Sequence, residues 1–314
     1  MSPPKSYRYI FGPVLSRRLG RSLGLDIMPF KTCTYDCVYC EQGRTTLKTS
    51  ERKNYVPVEA LVQEMKDFLE THPAQDFITV SASGEPTLHT GIGQIIDAIK
   101  ALSSIPVAVI TNGSLLWDAK VRAALQHADL VLPSLDAGNA ALFEKIDRPA
   151  PSISFDQMVD GLIVFRESFI NTIWLEVMLI NGVNTAEEQL REIAAIARRI
   201  RPDRIQLNTI ARPPAQSSAK AVPFKQLHAF AKLFEPRAEV IAPFHSGDEQ
   251  PDSEADELSV LNMIKRRPCP PREIAAALGI HPLELTKLLQ HLVDRGLIEE
   301  IPHADGVYYS AAGL

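Results

Sequence analysis

Between residue 22 and about residue 210, short β-rich runs alternate with amphipathic helical stretches, and this alternation restricts the fold more than any other property of the chain. The strand candidates are Leu23–Met28, Phe77–Ser81, Val107–Thr111, Leu130–Ser134, Thr172–Leu179 and Arg204–Thr209. Periodic helical segments lie between them, at about 57–71, 91–102, 116–126, 154–168 and 185–200. In the first of these, Val58, Leu61, Val62, Met65, Phe68 and Leu69 share one face at a 3.6-residue period. Six strands separated by helices imply βαβ units and a parallel sheet. A doubly wound sheet and an incomplete barrel both satisfy the spacing.

The alternation breaks after residue 210. ARPPAQSSAKAVPF reads as a loop, one helix follows at about 223–235, and GDEQPDSEADE reads as an acidic linker. Beyond it, a helix at Glu257–Arg267 precedes a Pro-initiated helix ending at Gly279. A third helix closes at Gly296, and two strands then flank a turn at Asp305-Gly306. This order, over about 60 residues, resembles a winged helix-turn-helix.

A chain of 314 residues with 45% apolar and 23% charged residues accommodates a large domain and a small one, and excludes a disordered or collagen-like protein. No run of about 18 apolar residues is present, and MSPPKSYRYIFGPV lacks the apolar centre of a signal peptide, so a cytoplasmic protein without a membrane span is expected. The net charge of −5 is uneven: residues 1–50 carry a balance of +5 and the remainder −10. A basic N-terminal segment on an acidic body suits a confined anionic ligand better than a broad nucleic-acid surface.

Three of the four cysteines fall within eight residues, as Cys33-x3-Cys37-x2-Cys40, and Cys269 is distant. Without an export signal such spacing points to a metal or cluster site rather than disulfides. Three thiolates on one loop can ligate three irons of a [4Fe–4S] cluster and leave the fourth open. A structural zinc site wants four ligands in paired spacing, and the downstream His72 and His89 form no such pair.

With Tyr39 before the last cysteine, this loop resembles the signature of the radical S-adenosylmethionine (SAM) superfamily. The resemblance implies a partial (β/α)6 TIM-like barrel with the cluster at the mouth formed by the C-terminal strand ends, plus the small C-terminal winged helix-turn-helix domain. It implies SAM bound to the open iron and cleaved by one electron to methionine and a 5′-deoxyadenosyl radical. That electron calls for a low-potential donor such as a flavodoxin or ferredoxin. Further stretches are similar to the family's SAM-contacting positions: Ser83, Gly84 and Glu85 after the second strand, Thr111 and Asn112 after the third, and Ser134 and Asp136 after the fourth. Gly permits close backbone approach, and Glu85 can accept from an ammonium. Ser83 stands where the family usually has a second glycine. The fifth strand offers Trp174 and Glu176 where several members place a cation for the SAM carboxylate, which leaves Arg148 or Arg212 to serve.

The segment YIFGPVLSRRLGRSLGLDIMPFKTC is similar to that of a subgroup of iron–sulfur oxidoreductases related to wyosine-type tRNA-modifying enzymes. Arg17, Arg18 and Arg21 could clamp a phosphate or carboxylate, so a substrate with an anionic group is expected. Glu176, Asn208 and Arg212 complete the substrate-binding candidates. The expected divisions are 1–22 (basic segment packing on the barrel), 23–235 (barrel), 236–255 (acidic linker) and 256–314 (winged unit). In the last, six basic residues face eight acids. Duplex binding needs a basic face, so DNA is disfavoured as a partner, and with it a cluster-bearing DNA-binding regulator. tRNA stays the alternative substrate. Only Cys269 is left for a second cluster, and none is expected.

Overall fold

The computed structural model describes residues 7–70, 75–241, 257–280, 282–303 and 306–312. Strands β1 (Ile10–Ser16) and β2 (Gly20–Asp26) form an antiparallel hairpin. Two short parallel strands, β3 (Thr32–Cys33) and β4 (Leu47–Lys48), bracket the cysteine loop. Helix and strand then alternate through α1 (Val58–Leu69), β5 (Phe77–Ser81), α2 (Ile92–Leu102), β6 (Val107–Thr111), α3 (Ala119–Ala124) and β7 (Leu130–Pro133). The series continues with α4 (Ala140–Ile146), α5 (Phe155–Ser168), β8 (Thr172–Leu179), α6 (Glu187–Ile200), β9 (Arg204–Thr209), α7 (Phe224–Phe230) and β10 (Glu239–Val240). One eight-stranded sheet runs in the order β1-β2-β5-β6-β7-β8-β9-β10, parallel everywhere except at the β1–β2 pair. The sheet does not close, and its six strands β2 and β5–β9 are the partial barrel expected from the sequence.

Strand alternation sorts the barrel into two cores. Val107, Val109, Val131, Ile173, Leu175 and Val177, all fully buried, face the helical layer, where Leu61, Met65 and Phe68 of α1 meet the same core. Burying a side chain of this size contributes about 1.5–3 kcal/mol. The opposite strand faces form a smaller lumenal core of Ala108, Leu130 and Leu132, joined by Phe77, Ile110 and Trp174. Leu19, in the tight β1–β2 turn, belongs to this lumenal core at 2% exposure. The turn of the N-terminal hairpin therefore plugs the barrel interior.

Four of the six expected strands have the expected bounds, and β7 ends one residue early, at Pro133. The first expected strand, Leu23–Met28, is found three residues earlier at its start, as Gly20–Asp26, and β1 is an addition. β1 contains Pro13, which reads as a breaker; here it sits on an edge strand where the register shifts between Phe11 and Val14, a position that tolerates a missing N–H. α4 is also an addition; Asn139 caps it, its side chain accepting from Leu142 N at 3.0 Å. The helix expected at 223–235 ends at Phe230 and continues as a 3-10 turn, Ala231–Leu233.

The C-terminal unit comprises α8 (Glu257–Ile264), α9 (Pro271–Leu278), α10 (Pro282–Asp294) and the antiparallel hairpin β11 (Ile298–His303) and β12 (Gly306–Ala311). α9 begins at Pro271, and Gly279 ends it with φ +65°, a left-handed cap that favours glycine. α8 stops at Ile264, short of the expected Arg267, which leaves Arg266 and Arg267 on the connection to α9. This winged unit has its own apolar core, including Val260, Ile264, Cys269, Ile274, Leu289 and Leu292. A polar interface joins the two cores: Arg266 pairs with Asp26 at 2.7 Å, Arg212 with Glu273 at 2.8 Å, and Tyr308 Oη donates to Ala211 O at 2.7 Å. Most of the expected acidic linker, and Asp305 of the expected turn, lie outside the described residues. Among the described residues no helix is long and apolar enough to cross a membrane.

Candidate active site

The cysteine loop leaves the first barrel strand and is clamped by backbone hydrogen bonds on two sides. Asp36 N donates to Asp147 O (3.0 Å) and Val38 N to Ile146 O (2.9 Å), both at the C-terminal end of α4. Ala215 N donates to Cys40 O (2.9 Å) and Gln216 N to Val38 O (3.0 Å) from the loop after β9. α4, which escaped sequence reading, thus carries one side of the loop. All three cysteines are partly buried residues. Two of their sulfurs receive N–H donors: Lys31 Nζ lies 3.0 Å from Cys40 Sγ and Asn112 Nδ2 lies 3.6 Å from Cys33 Sγ. The Cys37 thiol faces Asp147 Oδ1 at 3.5 Å. Burial, aided by the Glu85 charge, pushes the Cys33 thiol up to about 12. Burial and Asp147 push Cys37 well above its ordinary value.

A loop carrying three thiols, with an ammonium and an amide directed at two sulfurs, suits a cation-bound thiolate set, since bound iron would supply the charge that deprotonates the buried thiols. Among the described residues no group of three or more His, Cys, Asp or Glu side chains is arranged to hold a single metal ion, the three cysteines of the loop included. Cys269 is separate, fully buried in the core of the winged unit.

A cavity of about 360 Å³ opens beside this loop, bounded by Cys33, Tyr39 and Cys40, by the inward faces of β2 and β5, and by the winged unit. Of the residues expected to touch SAM, Tyr39, Ser83 and Gly84 line it. Ser83 is held by Asp26, which accepts from its backbone N at 2.9 Å. Gly84 passes against the cysteine loop so closely that a Cβ would lie 1.8 Å from Thr32 O. From sequence, a side chain at Gly84 is expected to obstruct SAM and spare the cluster; the structure shows that it strikes the residue before Cys33 first. Gly84→Ala should accordingly lower both iron content and thermal stability, and unchanged values of both in the purified variant would refute this contact.

The remaining expected SAM residues turn toward one another. Glu85, 2% exposed, accepts from Thr87 N (3.0 Å), Thr111 Oγ1 (2.6 Å) and Asn112 N (2.8 Å), so its carboxylate ties the ends of β5 and β6 together. An ammonium partner, expected from sequence, would have to share a carboxylate already occupied. Asp136 accepts from Tyr39 Oη and from Met178 N (2.8 Å), and burial raises its pKa to about 6. Ser134 continues β7 and bridges to Glu176. Glu85, Thr111, Asn112, Ser134 and Asp136 thus form a layer at the C-terminal strand ends, behind the wall of the cavity.

The substrate candidates divide. Arg17 and Arg18 reach into the lumen from the β1–β2 turn: Arg17 Nη1 meets Asn208 Oδ1 at 3.3 Å, and Arg18 pairs with Glu176. Asn208 Nδ2 donates to Glu176 Oε1 at 3.1 Å, closing the group. Burial and the neighbouring Arg17 charge bring Arg18 down to about 10. Arg21 does not join them; it is exposed at the N-terminal end of β2, where its backbone N donates to Asp76 Oδ2 at 2.7 Å. Strand direction explains this, because the mouth is formed by the C-terminal strand ends. Arg212 lines the cavity between Glu41 (2.6 Å) and Glu273 (2.8 Å), whereas Arg148 lies 4.0 Å from Asp36, outside it. Burial works to raise the Glu41 pKa, but Arg212, Arg267 and Arg17 outweigh it and hold the carboxyl at about 2.

Sequence reading missed Asp26, Lys31, Glu41, Met263, Arg266 and Arg267 as cavity residues. For the last two the signal was present as an Arg-Arg pair, counted only in the charge balance of the winged unit.

An open parallel barrel with a three-cysteine loop after its first barrel strand and a cavity at the strand ends defines a class, and comparison with known proteins agrees with it. The Radical SAM superfamily profile matches residues 27–195, and the chain belongs to that superfamily. A MarR family profile matches residues 253–306, the winged unit. A UPF0026 protein of Helicobacter pylori is 38% identical over 216 residues, covering 67% of this chain and 69% of that protein. A Brachyspira hyodysenteriae protein named GTPase Obg is 38% identical over 294 residues, 93% of this chain, and the chain spans 43% of that protein's length. In fold, the chain is similar to the structure of TYW1 with a lysine-pyruvate adduct bound, with TM-score 0.51 and 14% identity over 73% of this chain and 76% of that one.

Proposed function

We propose that the chain is an enzyme that holds a [4Fe–4S] cluster on Cys33, Cys37 and Cys40 and uses it, with one electron from a flavodoxin- or ferredoxin-like donor, to cleave SAM. With the cluster and SAM bound, that cleavage would supply methionine and a 5′-deoxyadenosyl radical for hydrogen abstraction from a substrate. The observation that carries the reading is the clamped loop of three thiols at the cavity, with Lys31 and Asn112 directed at two of the sulfurs. Lys31 and Asn112 support thiolate charge by hydrogen bonding. The backbone at Ser83 and Gly84 shapes the adjoining wall, and Tyr39, fixed by Asp136, contributes an aromatic face to it. The lumenal plug at Leu19 keeps water out from below.

The experiment is anaerobic reconstitution with iron and sulfide, followed by electron paramagnetic resonance with and without SAM and chromatographic detection of 5′-deoxyadenosine after reduction. One cluster whose signal changes with SAM is the expected result. Tightly bound zinc, or a cluster with four protein ligands, would overturn the reading.

DNA as a partner has the MarR likeness in its favour, but charge opposes it. α10 exposes Lys287 and Asp294, Arg295 just after it pairs with Glu257 at 2.5 Å, and the wing strand adds Glu299 and Glu300. tRNA as substrate rests on the resemblance to wyosine-type enzymes; the cavity wall formed by the winged unit supports a smaller substrate.

A further inference from the structure

The cavity beside the cysteine loop is a composite of both units. Met263, Arg266 and Arg267 of the winged unit line it together with Arg17, Arg18 and Arg212 of the barrel. Most of this positive charge is matched. Arg18 pairs with Glu176, Arg266 with Asp26, and Arg212 with Glu41 and Glu273. Arg267 pairs with Glu273 at 2.5 Å and lies 3.8 Å from the Glu41 carboxylate already held by Arg212.

Arg17 is the exception. Among the described residues no carboxylate pairs with it; its Nη1 meets the neutral amide of Asn208 at 3.3 Å, and that amide oxygen also accepts from Thr209 N. Burial strips its water, and the charges of Arg212 and Arg267 oppose the attraction of Glu41, so its pKa is lowered. A half-buried guanidinium beside two others, facing a cavity, is a site short of negative charge. Its planar donor fork fits an oxyanion with two acceptor oxygens.

We propose that Arg17 and Arg267, backed by Arg212, form an oxyanion site at the junction of barrel and winged unit, and that it takes the carboxylate or phosphate group of a small-molecule substrate. The winged unit is then one wall of the substrate site. The cavity, about 360 Å³ in all, also includes the Tyr39, Ser83 and Gly84 wall assigned above to SAM, so the space left at the arginines suits a small anion-bearing molecule. The proposal rests on the enzymatic reading above for the chemistry done in the cavity, and on the arginine geometry for the ligand class.

The test is isothermal titration of the full-length, anaerobically purified protein with inorganic phosphate and, separately, with succinate, each with and without saturating SAM. At least one anion should bind saturably and independently of SAM, at least about tenfold more weakly in Arg17→Gln and in Arg267→Gln. Arg17→Lys, which keeps the charge and loses the fork, should fall between. Arg191→Gln, which removes an exposed pair with Glu187, should bind as wild type. Unchanged affinity in Arg17→Gln, with its thermal midpoint intact, would overturn the site, as would absence of saturable binding by both anions. Loss of anion binding when SAM is added would assign the arginines to the cofactor's carboxylate. Competition by a short RNA far stronger than by free phosphate would replace the metabolite with a nucleic acid. None of these titrations requires SAM cleavage, so their failure and a failure to find a cluster are separate results.

Discussion

Cys37→Ala, purified without oxygen and reconstituted with iron and sulfide, is expected to hold no [4Fe–4S] cluster, with iron content and visible absorbance falling to background. The loop leaves no substitute ligand: Cys33 and Cys40 are the other two thiols of the signature, and Cys269 is fully buried in the winged unit, 2 of its partners being Tyr309 across a backbone pair and Arg267 O at 3.4 Å. The effect should be confined to metal. Asp36 N to Asp147 O and Val38 N to Ile146 O hold the loop through its backbone, so far-ultraviolet circular dichroism and the thermal midpoint of the cluster-free protein should match those of unreconstituted wild type. Cys269→Ala is the counterpart: it should retain the cluster and lose some stability through a small void in the winged-unit core. Full iron in Cys37→Ala, or its loss in Cys269→Ala, would contradict the assignment.

The largest effect on stability is expected from Arg212→Leu. Arg212 is 6% exposed and bonded to Glu41 at 2.6 Å and Glu273 at 2.8 Å, and Glu273 is 2% exposed. Removing the guanidinium leaves a buried carboxylate with Arg267 as its remaining ion-pair partner, a change that costs about 3–5 kcal/mol in comparable buried pairs. Chemical denaturation should show a lower midpoint, and limited proteolysis should release the winged unit sooner, because this pair joins the two apolar cores. Arg212→Leu combined with Glu273→Leu should recover much of the loss, since a buried pair replaced by apolar groups is often neutral. Equal and additive losses from the two single changes would mean that the residues do not act as a unit. Arg212, a substrate candidate by sequence, is in the structure first a connector between barrel and winged unit.

The parallel barrel was legible because β5, β6, β8 and β9 are short runs rich in apolar residues between strongly periodic helices, a pattern with few alternatives. The cysteine loop was legible because three thiols at fixed spacing have few uses. β1 was not, since Gly12-Pro13 reads as a turn and only an edge position with a shifted register accommodates it. The division of the arginines was also hidden. Arg17, Arg18 and Arg21 are within five residues of one another, and which of them meets the lumen depends on the direction of β2 and on the depth to which Leu19 is inserted. Arg266 and Arg267 could not be assigned to the cavity from sequence, because nothing local to the winged unit says which of its faces meets the barrel.

The plugging turn also dictates an order of assembly. Its contacts are among the most distant along the chain: Arg18 meets Glu176 across 158 residues and Arg17 meets Asn208 across 191. Contacts between residues so far apart form slowly, because the intervening chain must be ordered before they can be made. The β2–β5, β5–β6 and β6–β7 pairings link segments much nearer in sequence and can form while the lumen is still open. The floor of the cavity is therefore finished only once β9 has been synthesised and has joined the sheet. Arg18 cannot meet Glu176 before β8 is in the sheet, nor Arg17 meet Asn208 before β9 is, so the pairing of both arginines waits on the later strands.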